Sequence, residues 1–199
     1  MSISNGYATL SQVKAALRIT DNVDDSLLEM AVESASRLID GYAGRIFYNA
    51  GTATHYYAAQ DSFYTAIDDA VSISTVETSS RMDGQFDVTW SAVEYQLNPL
   101  NGYVDGMFVP YNAISAVGKY LFPTSGDEAG VRVTGVWGFA NVPTVITQAC
   151  IIQASRIYKR LDSPLGVAGF GDLGAIRVSS RLDPDVAQLV DPYRRLRFA

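Results

Sequence analysis

The chain has 199 residues, 48% of them hydrophobic and 18% charged, enough for one domain with a substantial core. Its formal net charge of -6 is unevenly placed: residues 1–140 hold 7 basic against 16 acidic side chains, and residues 141–199 hold 8 against 5. That balance argues against bulk attraction to DNA, while a single cysteine and a single histidine exclude an intrachain disulfide and a cysteine-based metal cluster.

The first residues, MSISNGYATL, lack a basic start and an apolar run, and no segment reaches the length of a membrane span. The expectation is a protein made in a reducing cytoplasm, neither secreted by a standard signal nor in contact with a membrane. The 12 tyrosines and 16 glycines point to strands, turns and contact surfaces more than to a helical bundle.

In chain order, residues 9–18 predict a short helix capped by Thr9 or Ser11, with Leu10, Val13 and Leu17 at helical spacing. TDNVDD, residues 20–25, reads as a turn in which Asp24 caps the next helix. The apolar stripe of that helix is Leu28, Ala31, Ala35, Leu38 and Tyr42, widened by Leu27 and Ile39. Gly41 and Gly44 mark its end before Arg45.

From residue 46 the period shortens. THYYAAQ, FYTAI, AVSISTVETSS, QFDVTW and YQLNP are rich in β-branched and aromatic residues, and Asp83-Gly84, Asn101-Gly102 and Asp105-Gly106 supply turns. VRVTGVWGF, residues 131–139, is the clearest strand, and Gly135 within it signals a bulge or a close backbone approach. NPLNGYVDGMFVP, residues 98–110, reads as an exposed hairpin or loop.

Pro143 opens a second helical region whose apolar residues, Val145, Ile146, Ala149, Cys150, Ile152, Ala154, Ile157 and Tyr158, surround most of the helix. Such a helix is expected in the core or between subunits. Beyond Arg160 the pattern gives way to Pro164, Gly166, Gly169, Gly171 and Gly174, read as an extended arm. Asp183-Pro184 starts a final short helix, and DPYRRLRFA ends the chain. The expected organisation is α+β: a single domain over residues 1–160, with a helix pair (9–42), a mostly antiparallel β module (46–140) and a Pro-initiated buried helix (143–160), then an extended C-terminal docking arm with a short terminal helix over 161–199.

Reactive chemistry is sparse. His55 lies in THYY with no nucleophile pattern pointing to it, and Cys150 sits in an apolar helical run as a buried thiol. The adjacent carboxylates Asp24/Asp25 and Asp68/Asp69 are read as helix-capping and turn residues. No spacing proposes a metal site, GVAGFGDLG lacks the lysine of a phosphate-binding loop, and no cofactor is expected. Arg194, Arg195 and Arg197 with Tyr193 and Phe198 form a basic, aromatic end suited to an acidic protein groove or to nucleic acid; on an acidic chain the protein groove is favoured.

In order and spacing, the pieces resemble the head–tail connector (adaptor, head-completion) proteins of long-tailed double-stranded DNA bacteriophages. TLSQVKAALRI and DDSLLEMAVESASRLIDGYAGR resemble the family's N-terminal helix pair. VTGVWGFANVP with ITQACIIQASRIYKRLDSPLG resembles its strand, glycine turn and Pro-initiated helix, and RLDPDVAQLVDPYRR its short terminal element.

The resemblance implies a non-enzymatic virion protein at the head–tail junction, assembled in the host cytoplasm as a ring of about twelve copies. The ring sits under the portal, meets a stopper or tail-joining protein on its other side, and lets genomic DNA pass with only transient, non-specific contact. Carried onto this chain, the portal anchors are Tyr193, Arg194, Arg195 and Phe198, and Tyr103, Met107 and Phe108 lie on a loop reaching the channel or the next ring. The other readings are a non-enzymatic protein-binding module and another phage packaging or head–tail joining protein.

Overall fold

The computed structural model describes residues 3–104, 106–124, 129–161, 167–169, 175–177 and 182–195. The chain divides into two compact units: Met1–Tyr48 together with Val142–Ala199, and Asn49–Asn141. The strands of the β module thus fall in one unit, and the last helix packs with the first ones in the other.

The first unit is helical. Helix α1, Leu10–Leu17, begins with a capping box: Gln12 N donates to Thr9 Oγ1 at 3.2 Å, and Thr9 N donates to Gln12 Oε1 at 2.8 Å. It stops at Arg18, which takes left-handed backbone angles (φ 59°). Lys14 Nζ then reaches Asn22 Oδ1 at 2.8 Å and Asp25 Oδ1 at 2.6 Å, tying α1 to the acidic turn.

Helix α2 covers Asp25–Ala43 and buries Leu28, Ala31, Val32, Ala35, Ser36, Ile39 and Ala43. The buried stripe is thus turned from the expected one. Val32 and Ala43 belong to it, whereas Leu27 and Leu38 are exposed and Tyr42 lies at its margin. Gly44 ends the helix at φ 69°, a conformation that suits a residue without Cβ. Asp24 precedes α2 but makes no side-chain cap; its carboxylate instead accepts from Tyr158 OH at 2.6 Å.

That tyrosine belongs to α3, Thr144–Leu161, which packs on α2 through Ile146, Ala149, Cys150 and Ala154. The chain returns as α4, Pro184–Val190, where Asp183 Oδ1 accepts from Asp185 N at 2.9 Å and Asp183 Oδ2 pairs with Arg156 of α3. Val186 and Val190 are fully buried, and a single 3-10 turn, Asp191–Tyr193, follows.

The second unit is an antiparallel sheet of six strands: β1 (Asn49–Tyr57), β2 (Tyr64–Thr78), β3 (Val88–Trp90), β4 (Tyr95–Asn98), β7 (Tyr111–Ala116) and β8 (Val131–Gly138). Their order is β1-β8-β2-β7-β4, with β3 beside β2. Strands β5 (Tyr103–Val104) and β6 (Met107–Phe108) form a separate two-stranded hairpin.

FYTAI and AVSISTVETSS run together as the single strand β2. Asp68 and Asp69 therefore sit inside a strand and not in the expected turn, at a register shift between Ala66 and Ala70. The core of this unit is Ile67, Ala70, Val76, Trp90, Ile114, Phe122, Val131, Val133 and Trp137. Trp90 stacks on Phe122 with centroids 4.6 Å apart and donates from Nε1 to Thr78 Oγ1 at 3.0 Å. Gly135 is the close approach the sequence signals: a Cβ there would overlap the carbonyl oxygen of Ser72 on β2.

Within the glycine-rich segment two short strands are described, β9 (Val167–Gly169) and β10 (Ala175–Arg177), paired antiparallel. Gly166, Gly171 and Gly174 lie outside the described residues.

Candidate assembly surfaces

Of the four residues expected to anchor the portal, three are described, and they do different things. Tyr193 is 8% exposed, with its ring against Phe47. It packs in the core of the helical unit, at the end of the 3-10 turn after α4. Arg194 is exposed; its guanidinium lies 4.8 Å from the centre of the Tyr42 ring and 3.8 Å from Asp191 Oδ1. Arg195 is half-buried, and its backbone N donates to Ala43 O at 2.8 Å, fastening the described end of the chain to the end of α2. Phe198, like Leu196 and Arg197, lies outside the described residues.

The loop expected over 98–110 is a hairpin that groups its candidates. Tyr103 pairs with Phe108 across β5 and β6, and their rings meet edge to face at 5.0 Å. Phe108 is 80% exposed, with Leu100, Tyr103 and Val104 also exposed and Met107 half-buried. Four exposed apolar side chains on one short hairpin form a contact surface of the kind that monomers rarely leave uncovered.

Two further apolar surfaces were not picked out in the sequence. One gathers Phe63, Val93, Val117 and Leu121 at one end of the sheet. Three backbone bonds hold those segments together: Ala116 N to Phe63 O at 2.8 Å, Val117 N to Glu94 O at 2.8 Å and Phe122 N to Ser62 O at 2.9 Å. The other is the outward side of α2, with Leu27, Met30 and Leu38. Its signal in the sequence was a second apolar repeat, absorbed into one broad stripe.

The titratable groups have structural partners. His55 stacks on Trp137, with centroids 4.1 Å apart and planes at 4°, and its Nδ1 lies 3.1 Å from Asp68 Oδ2 and 3.2 Å from Tyr57 OH. Burial pushes the Cys150 thiol above its ordinary range, against Ser36 Oγ at 3.4 Å. Tyr7 donates to the Asp40 carboxylate and accepts from Phe47 N at 2.8 Å; burial first, then that carboxylate, raises its hydroxyl. Asp40 also meets Arg37 Nε at 3.0 Å. Among the described residues no three acidic, histidine or cysteine side chains gather to hold a metal ion, and no helix is long and apolar enough to cross a membrane.

A family model described as "Phage gp6-like head-tail connector protein" matches residues 7–89, from the approach to α1 through most of β3. Over those residues the chain is similar to phage head–tail connectors. Two solved structures share its fold along its whole length. A chain from the neck of an empty GTA particle, computed with C6 symmetry, is 15% identical, with 100% of this chain and 95% of that one covered at a TM-score of 0.58. A chain from the neck of a native GTA particle, computed with C12 symmetry, is 14% identical, with 100% and 94% covered at the same TM-score. No curated protein matches the sequence. The match in sequence spans the helix pair and the start of the sheet, and the likeness in fold also covers α3 and α4.

Proposed function

We propose that this chain is a structural subunit of a head–tail junction. Copies close into a ring that joins a capsid portal to a stopper or tail component and leaves a central passage for DNA. The observation that carries this is the agreement of two comparisons: a connector family model on the N-terminal part, and a fold shared end to end with subunits of a particle neck. The role is mechanical, and the chain supplies packing elements for it: helices, a sheet and exposed apolar surfaces.

Within that role, portal docking is assigned to the C-terminal end, where exposed Arg194 flanks the chain terminus and Arg195 and Phe198 follow. Tyr193 contributes by fixing where that end leaves the helical unit. The β5–β6 hairpin is assigned to the channel or the next ring, through Tyr103, Met107 and Phe108. About twelve copies form the ring, in keeping with the C12 symmetry of one similar neck. An acidic chain suits a conduit, since DNA that slides must not be gripped.

The test is co-purification with the portal protein of the same particle. Replacing Arg194 and Arg195 with Glu is expected to abolish portal association while leaving the thermal melting profile of the sheet unit unchanged. Undiminished association would remove the C-terminal docking assignment.

A further inference from the structure

Within the ring reading just given, on which this inference rests, we propose that the contact between neighbouring copies is made by the outward face of α2 on one and the outward face of α3 on the next.

A surface helix ordinarily turns charge toward water and an apolar stripe toward the core. Helix α2 does not. Leu27, Met30, Ser34, Leu38 and Gly41 follow one another at steps of three and four, so they share a face. Met30 is 51% exposed, Leu38 48% and Leu27 40%, and Val23 continues the line beyond the helix start. The five positions carry no charge. The nearest charged neighbour, Arg37, is engaged beside the stripe: it meets Asp40, donates to Asn5 O at 3.1 Å and lies over the rings of Tyr7 and Tyr48.

Helix α3 presents a second, more polar outer face. Ile146, Ala149, Cys150 and Ala154 face the core. The opposite side carries Thr144, Gln148, Ile151, Ile152 and Ser155; Thr144 and Gln148 are exposed, the other three are half-buried, and exposed Lys159 follows at the helix end. Ser36 of α2 and Cys150 of α3 face each other, so α2 and α3 pack through their buried sides. Their outer faces consequently look away from that contact, one on each side of the helical unit.

That placement selects the occupant. A ring with cyclic symmetry needs two unlike, complementary surfaces on every copy, and these face away from each other so that each subunit meets two neighbours. A single axial partner would require only one such face. Size agrees: a helix of 19 residues is about 28 Å long, so a stripe about 10 Å wide offers roughly 300 Å². A stable pair commonly needs about 800 Å² from each partner. One such contact is too small to hold a free dimer, whereas a closed ring gives every copy two. Ser34 and Gly41 on one face and Ser155 on the other allow the helices to approach closely.

The test uses engineered thiols at two exposed positions, Met30→Cys and Gln148→Cys, with Cys150 buried and out of reach. Full-length protein carrying both is assembled with its portal and treated with a short bifunctional thiol reagent. The expected result is a ladder of covalent multimers from the double variant, a dimer band from an equal mixture of the two single variants, and none from either single variant alone. A dimer from Met30→Cys alone would show a two-fold contact and overturn the proposal. Rings visible by electron microscopy without any cross-linked product would overturn it while leaving the ring reading intact; absence of rings would overturn both. Leu38→Asp, at an exposed position, should keep native circular dichroism and lose ring formation, and rings that persist would count against the α2 face.

Discussion

Tyr193 and Phe47 meet edge to face, their ring centroids 5.8 Å apart and their planes at 82°, although they lie far apart in the sequence. Tyr7 completes the stack on Phe47 at 5.7 Å and 85°. Three aromatic rings from the N-terminal approach, the exit of α2 and the last turn thus share one site. The C-terminal region therefore has a structural duty besides any docking duty. Phe47→Ala should destabilise the helical unit by about 3–5 kcal/mol, the range for deleting a large buried aromatic side chain. Ending the chain before residue 182 should destabilise the same unit, since it removes buried Val186, Val190 and Tyr193. Chemical denaturation measures both, and an unchanged midpoint in either variant would refute the packing role.

Gly135→Ala tests the sheet. The new methyl group would overlap Ser72 O and crowd Ile73, so β8 must move away from β2 at the centre of the sheet. The expected cost is about 1–3 kcal/mol, as for overpacking elsewhere in protein interiors. Thermal unfolding should report it in the second unit, and a neutral substitution would mean that the strands separate easily at this point.

Acid stability should depend on Glu77. Arg132 binds it through two hydrogen bonds, at 2.7 and 2.8 Å, and holds its carboxyl below the ordinary range. A carboxylate depressed in the folded state adds stability above its unfolded pKa and loses it as pH falls through the folded value. Asp40 has the opposite sign: burial raises its carboxyl, so its contribution is greatest in acid and is lost as pH rises through the folded value. Glu77→Gln is expected to flatten the acid limb of the stability profile, and Asp40→Asn to steepen it. Profiles unchanged from the parent would contradict both assignments.

Cys150 should be chemically silent in the native protein. It is fully buried, and burial raises its thiol, leaving little thiolate to react. Alkylation should proceed rapidly only after denaturant is added. Fast labelling of the native chain would show that α3 opens from α2.

Much of the helical unit was legible because its signals are local. Thr9, Gly44, Pro143 and Asp183-Pro184 each mark a helix boundary through the chemistry of one or two residues. The phase of α2 was harder, because it carries apolar residues on two sides and periodicity alone cannot say which side meets the core. Val32, Ile39 and Ala43 do so, and Leu27 and Leu38 do not. Strand β2 was read as two pieces because Asp68 and Asp69 interrupt its alternation at a register shift, a tertiary feature that imitates a turn. Among the candidate site residues, the grouping of Tyr103 with Phe108 followed from the turn between them. The burial of Tyr193 did not, since it depends on Phe47, distant in the sequence.

The hairpin prediction separates assembly steps. Phe108→Asp places a charge at an 80% exposed position and should leave folding unchanged. The expected effect is loss of attachment of the next component to an otherwise complete ring, read as particles that package DNA but lack tails. Normal tail joining would remove the hairpin from that interface.

The central claim is that copies of this chain close into a ring on a portal. Electron microscopy of the purified protein with its portal tests it most directly. The account predicts a closed ring of connector-like subunits, stacked coaxially on the portal and open at its centre. A protein that stays monomeric and leaves the portal bare at every concentration would contradict it.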